Sequence, residues 1–225
     1  MDWQALILTA KVAAWTTAIL LIIGFPMAYW LAFTRWRLRF AAEALVALPL
    51  VLPPTVLGFY MLIAMGPNSP FGQAYESVSG KLLPFSFEGL VVASVIYSLP
   101  FAVQPMAAAF AKVDSSFIEA SHCLGASRMR TFWKVILPQS IGGVVAGVVL
   151  SFAHTLGEFG VVLMVGGNIP NETRTVAISI YDEVQALNYD AAAQTSLFLL
   201  AVSFVVLALM YGLQLKAWTP WTMRS

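Results

Sequence analysis

The sequence predicts an all-α integral membrane protein with five transmembrane helices, a cytoplasmic pair of short helices, the N-terminus outside and the C-terminus inside. Three observations carry this. Of 225 residues 60% are hydrophobic and 10% charged, with a mean hydropathy of +0.81, far from the mixture of a soluble domain. Five apolar segments are each long enough to cross hydrocarbon, and they carry almost none of the polar outer faces that a soluble helical bundle needs. Finally, the 12 Lys and Arg residues divide nine to three between alternate connections, which fixes an orientation by the positive-inside rule.

The first segment runs from Trp3 to Phe33. An acid at Asp2, a lysine within the run (Lys11) and the length of the run exclude a secretory h-region, so it reads as an uncleaved span. It exceeds the ~20 residues a crossing requires, which places the part around Lys11 at the interface or beyond it. The remaining spans fall at 44–65, 89–110, 141–165 and 195–215. Arg35, Arg37 and Arg39, then Lys112, Arg128, Arg130 and Lys134, then Lys216 and Arg224 take the cytoplasmic side, leaving Lys11, Lys81 and Arg174 outside. The outer connections, 66–88 and 166–194, are rich in turn formers and net acidic, suited to docking something outside. Asn171-Glu172-Thr173 spells a glycosylation sequon, but with nothing in the sequence to indicate a eukaryotic context it reads simply as a loop.

The connection at about 112–138 is polar between two apolar flanks. Ser116 and Glu119 have the spacing of a capping box, and Phe117, Ala120 and Leu124 recur at helical spacing. Gly125 permits a stop and Ser127 a second cap. Met129, Phe132, Trp133, Ile136 and Leu137 would line one face of the second helix, with Arg128, Arg130, Thr131 and Lys134 on the other and Pro138 as terminator. Two short helices with a basic outer face fit either an element lying on anionic lipid or one that docks in a groove of a cytosolic partner.

Within the spans, His154 and Glu158 stand at i, i+4 and are expected to hydrogen-bond on one helix face as a structural pair, the alternative being a direct contact with substrate. Pro53 and Pro54, followed by Thr55 and Gly58, mark a hinge or pathway-lining segment in the second span. Gly143, Gly147, Ser151 and Thr155 form a small-residue ridge that permits close helix contact, inside one subunit or with a second copy. A single cysteine, Cys123, excludes an intramolecular disulfide, and no Cys/His cluster has metal-ligand spacing. A net charge of +1 without a basic patch excludes nucleic acid as a partner. There is neither a phosphate-cradling GxxxxGK[ST] nor a catalytic constellation. No cofactor, metal or enzymatic activity is expected.

Glu119-Ala120-Ser121, Gly125 and Val135-Ile136-Leu137-Pro138 closely resemble the EAA loop of permease subunits in binding-protein-dependent ABC importers, with Ser121 in place of the second Ala and Val135 in place of Ile. The resemblance implies that Glu119, Ala120, Ser121, Gly125, Leu137 and Pro138 belong to coupling helices seated in a cleft of a cytosolic ATPase. LPLVLPPTVLGFYML (48–62), LGASRMRTFWKVILP (124–138) and SFAHTLGEFGVVLMVGGNIPNETRTVAISIY (151–181) are similar to the permeases of molybdate importers over nearly the whole chain, His154 standing where Arg is common. Sulfate and tungstate permeases share much of this pattern. The implied protein, residues 1–225, is a single transmembrane domain in a bacterial cytoplasmic (inner) membrane. It works as a homodimer embedded in lipid, with ATPase subunits inside and a soluble oxyanion-binding protein outside. It would pass molybdate first, tungstate as a co-substrate and sulfate as the runner-up. Ser151 and Thr155 are expected to line a weakly interacting passage together with Pro53, Pro54 and Thr55. A secondary transporter independent of ATP would favour paired repeats and coupling-ion carboxylates, and one lone intramembrane Glu in an odd number of spans argues against it.

Overall fold

The computed structural model describes residues 2–218, with side chains as far as Gly212. The Lys216 side chain and all of Arg224 lie outside that description, so the basic bias at the C-terminal end is not represented. Among the described residues eleven α-helices follow in order: α1 (Trp3–Phe33), α2 (Arg39–Val51), α3 (Pro54–Met65), α4 (Pro70–Ser79), α5 (Phe87–Ala111), α6 (Ser115–Cys123), α7 (Arg128–Thr131), α8 (Leu137–Leu156), α9 (Gly160–Gly166), α10 (Val176–Gln185) and α11 (Tyr189–Trp218).

Among the described residues four stretches are long and apolar enough to cross a membrane: Trp3–Phe33, Phe87–Ala111, Arg128–Leu156 and Tyr189–Gly212. The fifth candidate is not a single rod. α2 and α3 meet at a bend of 111°, because Leu52 and Pro53 are extended and neither Pro53 nor Pro54 has an N–H to continue the α2 ladder. Proline composition foretold a break there, but not its size.

The bundle is built around α5. α1 runs parallel to it: Gly24 abuts Val103 and Ala102, and Phe25 and Tyr29 reach Phe110 near the far end. α8 runs antiparallel to it along the small-residue ridge. A Cβ on Gly147 would stand 2.7 Å from the Ala102 carbonyl oxygen, and one on Gly143 would overlap Ala109. The ridge therefore serves packing inside one subunit, where absent side chains let two backbones approach. Leu20, Leu90, Val103, Met106, Phe110 and Val144 form the core between these three helices.

The connections at 66–88 and 166–194 both contain more regular structure than their turn-rich composition suggested. The first holds α4, whose Ser69 cap accepts from the Gly72 N–H. The second holds α10 and the start of α11, six residues before the expected span. Thr173, fully buried, donates to the Gly166 carbonyl at 2.6 Å and accepts from the Ile169 N–H. Thr9 on α1 accepts from the Val176 N–H at 2.8 Å, which ties α10 to the bundle.

Candidate functional site

At the end where α1 and α5 finish, the chain gathers Arg35, Arg37, Arg39, Lys112, Arg128, Arg130 and Lys134. Here α6 and α7 form the expected helix pair, with a different start. Asp114, not Ser116, caps α6: its carboxylate accepts from the Ser116 N–H at 2.9 Å. That N–H holds the exposed Asp114 carboxyl below the usual carboxylate range. The capping box read at Ser116 and Glu119 does not form, because the helix starts two residues earlier than that box requires. The stop is as the glycine suggested. Gly125 has φ of 77°, its N–H reaches the His122 carbonyl, and the Ala126 N–H reaches the Ser121 carbonyl, the two bonds of a Schellman motif. Ser127 then caps α7 by accepting from the Arg130 N–H.

Ser121, a departure from the usual alanine of the resembled loop, has a structural use: its hydroxyl meets that of Thr131 at 2.9 Å, pinning α6 to α7. Thr131 is correspondingly buried, not on the outer basic face, while Met129 and Trp133 are exposed. Facing assignments from helical spacing failed here because the helix is not α-helical throughout. Residues Phe132–Ile136 form a π turn in which the Leu137 N–H bonds to the Phe132 carbonyl. Pro138 does not terminate the helix. It sits in the first turn of α8, where the preceding wide turn accommodates the N–H it lacks and the bulk of its ring.

No residue of α6 is buried. Phe117 is 55% exposed and Leu124 88% exposed, on the rim of a cleft of about 350 Å³ that Ala120, Ser121, Arg130 and Lys134 also line. Glu119 and Pro138 are exposed and Leu137 half-buried. The pair is joined to the bundle through Phe132, whose ring lies 5.6 Å from Phe25 and 5.2 Å from Tyr29, both of which also contact Phe110. This four-ring cluster escapes sequence reading, since its members come from three separated segments. Aromatic content near 13% gave no hint of which rings meet.

The polar groups inside the bundle are arranged differently from expectation. His154 and Glu158 do not pair. α8 stops at Leu156 and Gly157 breaks the helix, so the i, i+4 relation no longer holds both side chains on one face. His154 Nδ1 instead meets the Ser98 hydroxyl of α5 at 2.9 Å, and its ring stacks on Phe101 at 3.9 Å. The Ser98 hydroxyl also meets that of Thr155 at 3.0 Å. Glu158 is 4% exposed, and neither carboxylate oxygen has a hydrogen-bond partner. The Ser94 hydroxyl lies beside it without bonding geometry. Ser151 and Thr155 are buried within the single chain, the Ser151 hydroxyl donating to the Val148 carbonyl of its own helix and that of Thr155 to the Ser151 carbonyl.

Pro53 and Thr55 are exposed, and Pro54 is half-buried. A Cβ on Gly160 would stand 2.7 Å from Pro54 Cβ, and one on Gly58 2.7 Å from Met164 Cβ. The break between α2 and α3 therefore lies directly against the break between α8 and α9. Two helix interruptions, separated by about a hundred residues in sequence, share one contact.

A family model described as binding-protein-dependent transport system inner membrane component matches residues 12–218. The chain is 50% identical over 211 residues to the molybdenum transport system permease protein ModB of Azotobacter vinelandii, covering 94% of this chain and 93% of that one. It is 32% identical over 213 residues to ModB of Escherichia coli K12, covering 93% and 91%. Among solved structures, the inward-facing MetNI methionine ABC transporter matches with a TM-score of 0.74 at 17% identity, over 95% of this chain and 94% of that one, a likeness of fold. The arrangement of spans, the protruding helix pair and these full-length matches together place the chain in the family of binding-protein-dependent transport system inner membrane components.

Proposed function

We propose that this chain is the permease subunit of an ATP-driven importer that passes molybdate inward across a bacterial cytoplasmic membrane. The observation that carries the substrate is the 50% identity with a molybdenum permease along 94% of the chain. Sequences so similar over every span share their pathway as well as their fold. ATP hydrolysis belongs to separate subunits, and recognition of the anion to a soluble protein outside.

The geometry supports the division of labour. The basic end faces the cytoplasm. α6 buries none of its own residues yet displays Phe117, with Leu124 exposed at its C-terminal cap, so this apolar surface is covered only when the ATPase docks. Closure of the ATPase pair moves α6 and α7, and the Phe132 ring transmits the displacement to Phe25, Tyr29 and Phe110. A second copy completes the passage. The uncovered face of α3, with Thr55, Phe59 and Tyr60, faces it, and the two adjoining helix breaks act as its hinge. Cationic side chains are sparse within the spans, which suits transit better than tight binding, since a strongly held dianion would resist release.

The test reconstitutes the dimer with its ATPase and adds, in turn, binding proteins specific for molybdate and for sulfate, recording uptake of each labelled anion. Molybdate uptake that needs ATP and follows the binding protein supports the reading. Uptake without the ATPase, or an anion preference that ignores the binding protein, would overturn it.

A further inference from the structure

At the end of the bundle opposite the basic connections there is a cavity of about 950 Å³, lined by Leu8, Lys11 and Trp15 of α1, Lys81, Glu88 in the first turn of α5, and Glu172. Leu8, Lys11 and Trp15 are three and four residues apart, so α1 presents them as one stripe: apolar, cationic, aromatic. Lys11, Lys81, Glu88 and Glu172 are exposed, and Trp15 is 60% exposed. Two cations and two anions thus surround one space. Among the described residues, none of their charged ends has an ion-pair or hydrogen-bond partner. Each is mounted on a different backbone segment, so the four stand around the opening and do not close on each other.

We propose that this cavity is a headgroup site for a zwitterionic phospholipid bearing a primary amine, such as phosphatidylethanolamine. Lys11 and Lys81 take the phosphate, Glu88 and Glu172 take the ammonium, and an acyl chain runs along α1 past Trp15. Charge complementarity selects this occupant. The charged lining sums to zero, so a net anionic lipid brings uncompensated charge against two carboxylates. A quaternary ammonium offers those carboxylates no N–H donor. The stripe continues from Lys11 through Trp15 into the apolar length of α1, a path that suits an acyl chain and not a soluble partner, and tryptophan is the residue that favours this depth of a bilayer. Only the assignment to the outer leaflet rests on the orientation proposed above.

The experiment is native mass spectrometry of the full-length chain, purified in detergent and exchanged with equal amounts of phosphatidylethanolamine, phosphatidylcholine and phosphatidylglycerol of the same acyl composition. Phosphatidylethanolamine is expected to be retained about tenfold over the other two, a difference that one extra set of charge-assisted bonds provides. Lys11→Gln with Lys81→Gln removes that retention, and Glu88→Gln with Glu172→Gln reduces it to the phosphatidylcholine level. All four side chains are exposed, and unchanged thermal midpoints in lipid-free detergent confirm that the variants fold. Equal retention of the three lipids, preference for phosphatidylglycerol, or retention unaffected by either double variant overturns the site. Loss of binding-protein-stimulated ATPase activity in the lysine variant with lipid retention unchanged makes the surface a protein dock and overturns it as well. The readout contains no transport step, so its failure is distinguishable from failure of the importer reading.

Discussion

Neighbouring glycines on α8 should respond oppositely to the same added methyl group. A Cβ on Gly142 meets nothing within 4 Å, whereas one on Gly143 overlaps the Ala109 Cβ and stands 2.7 Å from the Pro105 carbonyl oxygen. Both obstacles at Gly143 are backbone or directly attached to it, so they cannot swing aside as a long side chain would. Overpacking of this kind costs about 1–3 kcal/mol, and the rigid neighbours place Gly143→Ala at the upper end. The gain in helix preference on replacing glycine by alanine, about 1 kcal/mol, applies equally at both sites and cancels in the comparison. The two variants should therefore differ by about 3 kcal/mol, Gly142→Ala being the more stable. At roughly 2–4 °C per kcal/mol for a chain of this size, the midpoints separate by about 6–12 °C. Thermal unfolding in detergent, followed by tryptophan fluorescence, measures this directly. Midpoints within about 2 °C of each other, or a larger loss at Gly142, would refute the α5–α8 packing on which the ridge argument rests.

Four further outcomes are expected. Gly125→Val forces a β-branched residue into φ of 77°, costing about 1–2 kcal/mol at the turn, and Glu119→Lys reverses an exposed charge on α6; both should insert normally yet lose transport, and transport at the parent rate with ATPase bound would disprove docking at this loop. Cys123, exposed on α6, should react with a membrane-permeant maleimide and be spared by an impermeant one in intact cells, labelling by the latter reversing the proposed orientation. Glu158→Gln removes a carboxylate that has no bonding partner, so the thermal midpoint should hold or rise; a fall of several degrees would reveal an ionic partner, and abolished transport in an intact complex would give the charge a role in the cycle. Because the Ser116 N–H lowers the Asp114 carboxyl, this cap's contribution is complete above the ordinary aspartate range and is lost as pH falls through the lowered value. Amide exchange in α6 should accordingly quicken on acidification, and Asp114→Asn should remove that dependence while preserving the cap; equal acid sensitivity in both proteins would refute the assignment.

The sequence by itself determined that the chain is built of membrane-spanning helices, where three of them lie, and that 112–138 contains two short helices separated at Gly125; the span expected at 141–165 instead runs Arg128–Leu156 and breaks at Gly157. Apolar length and the glycine requirement of a left-handed backbone are local properties, written wherever the residues stand. Tertiary structure decided everything that depends on rotation, depth or bending. The pairing of His154 with Glu158 was inferred from spacing on a continuous helix. The break at Gly157 dissolved that premise, and the real partner, Ser98, comes from another helix. The hydroxyls of Ser151 and Thr155 are legible in the sequence, but that both are buried within the single chain is a result of packing. Pro138 signalled a stop that the π turn before it made unnecessary, and proline pairs announced a break without the 111° it subtends. Periodicity describes which residues share a face of one helix; which neighbour that face meets is settled only when the helices are packed together.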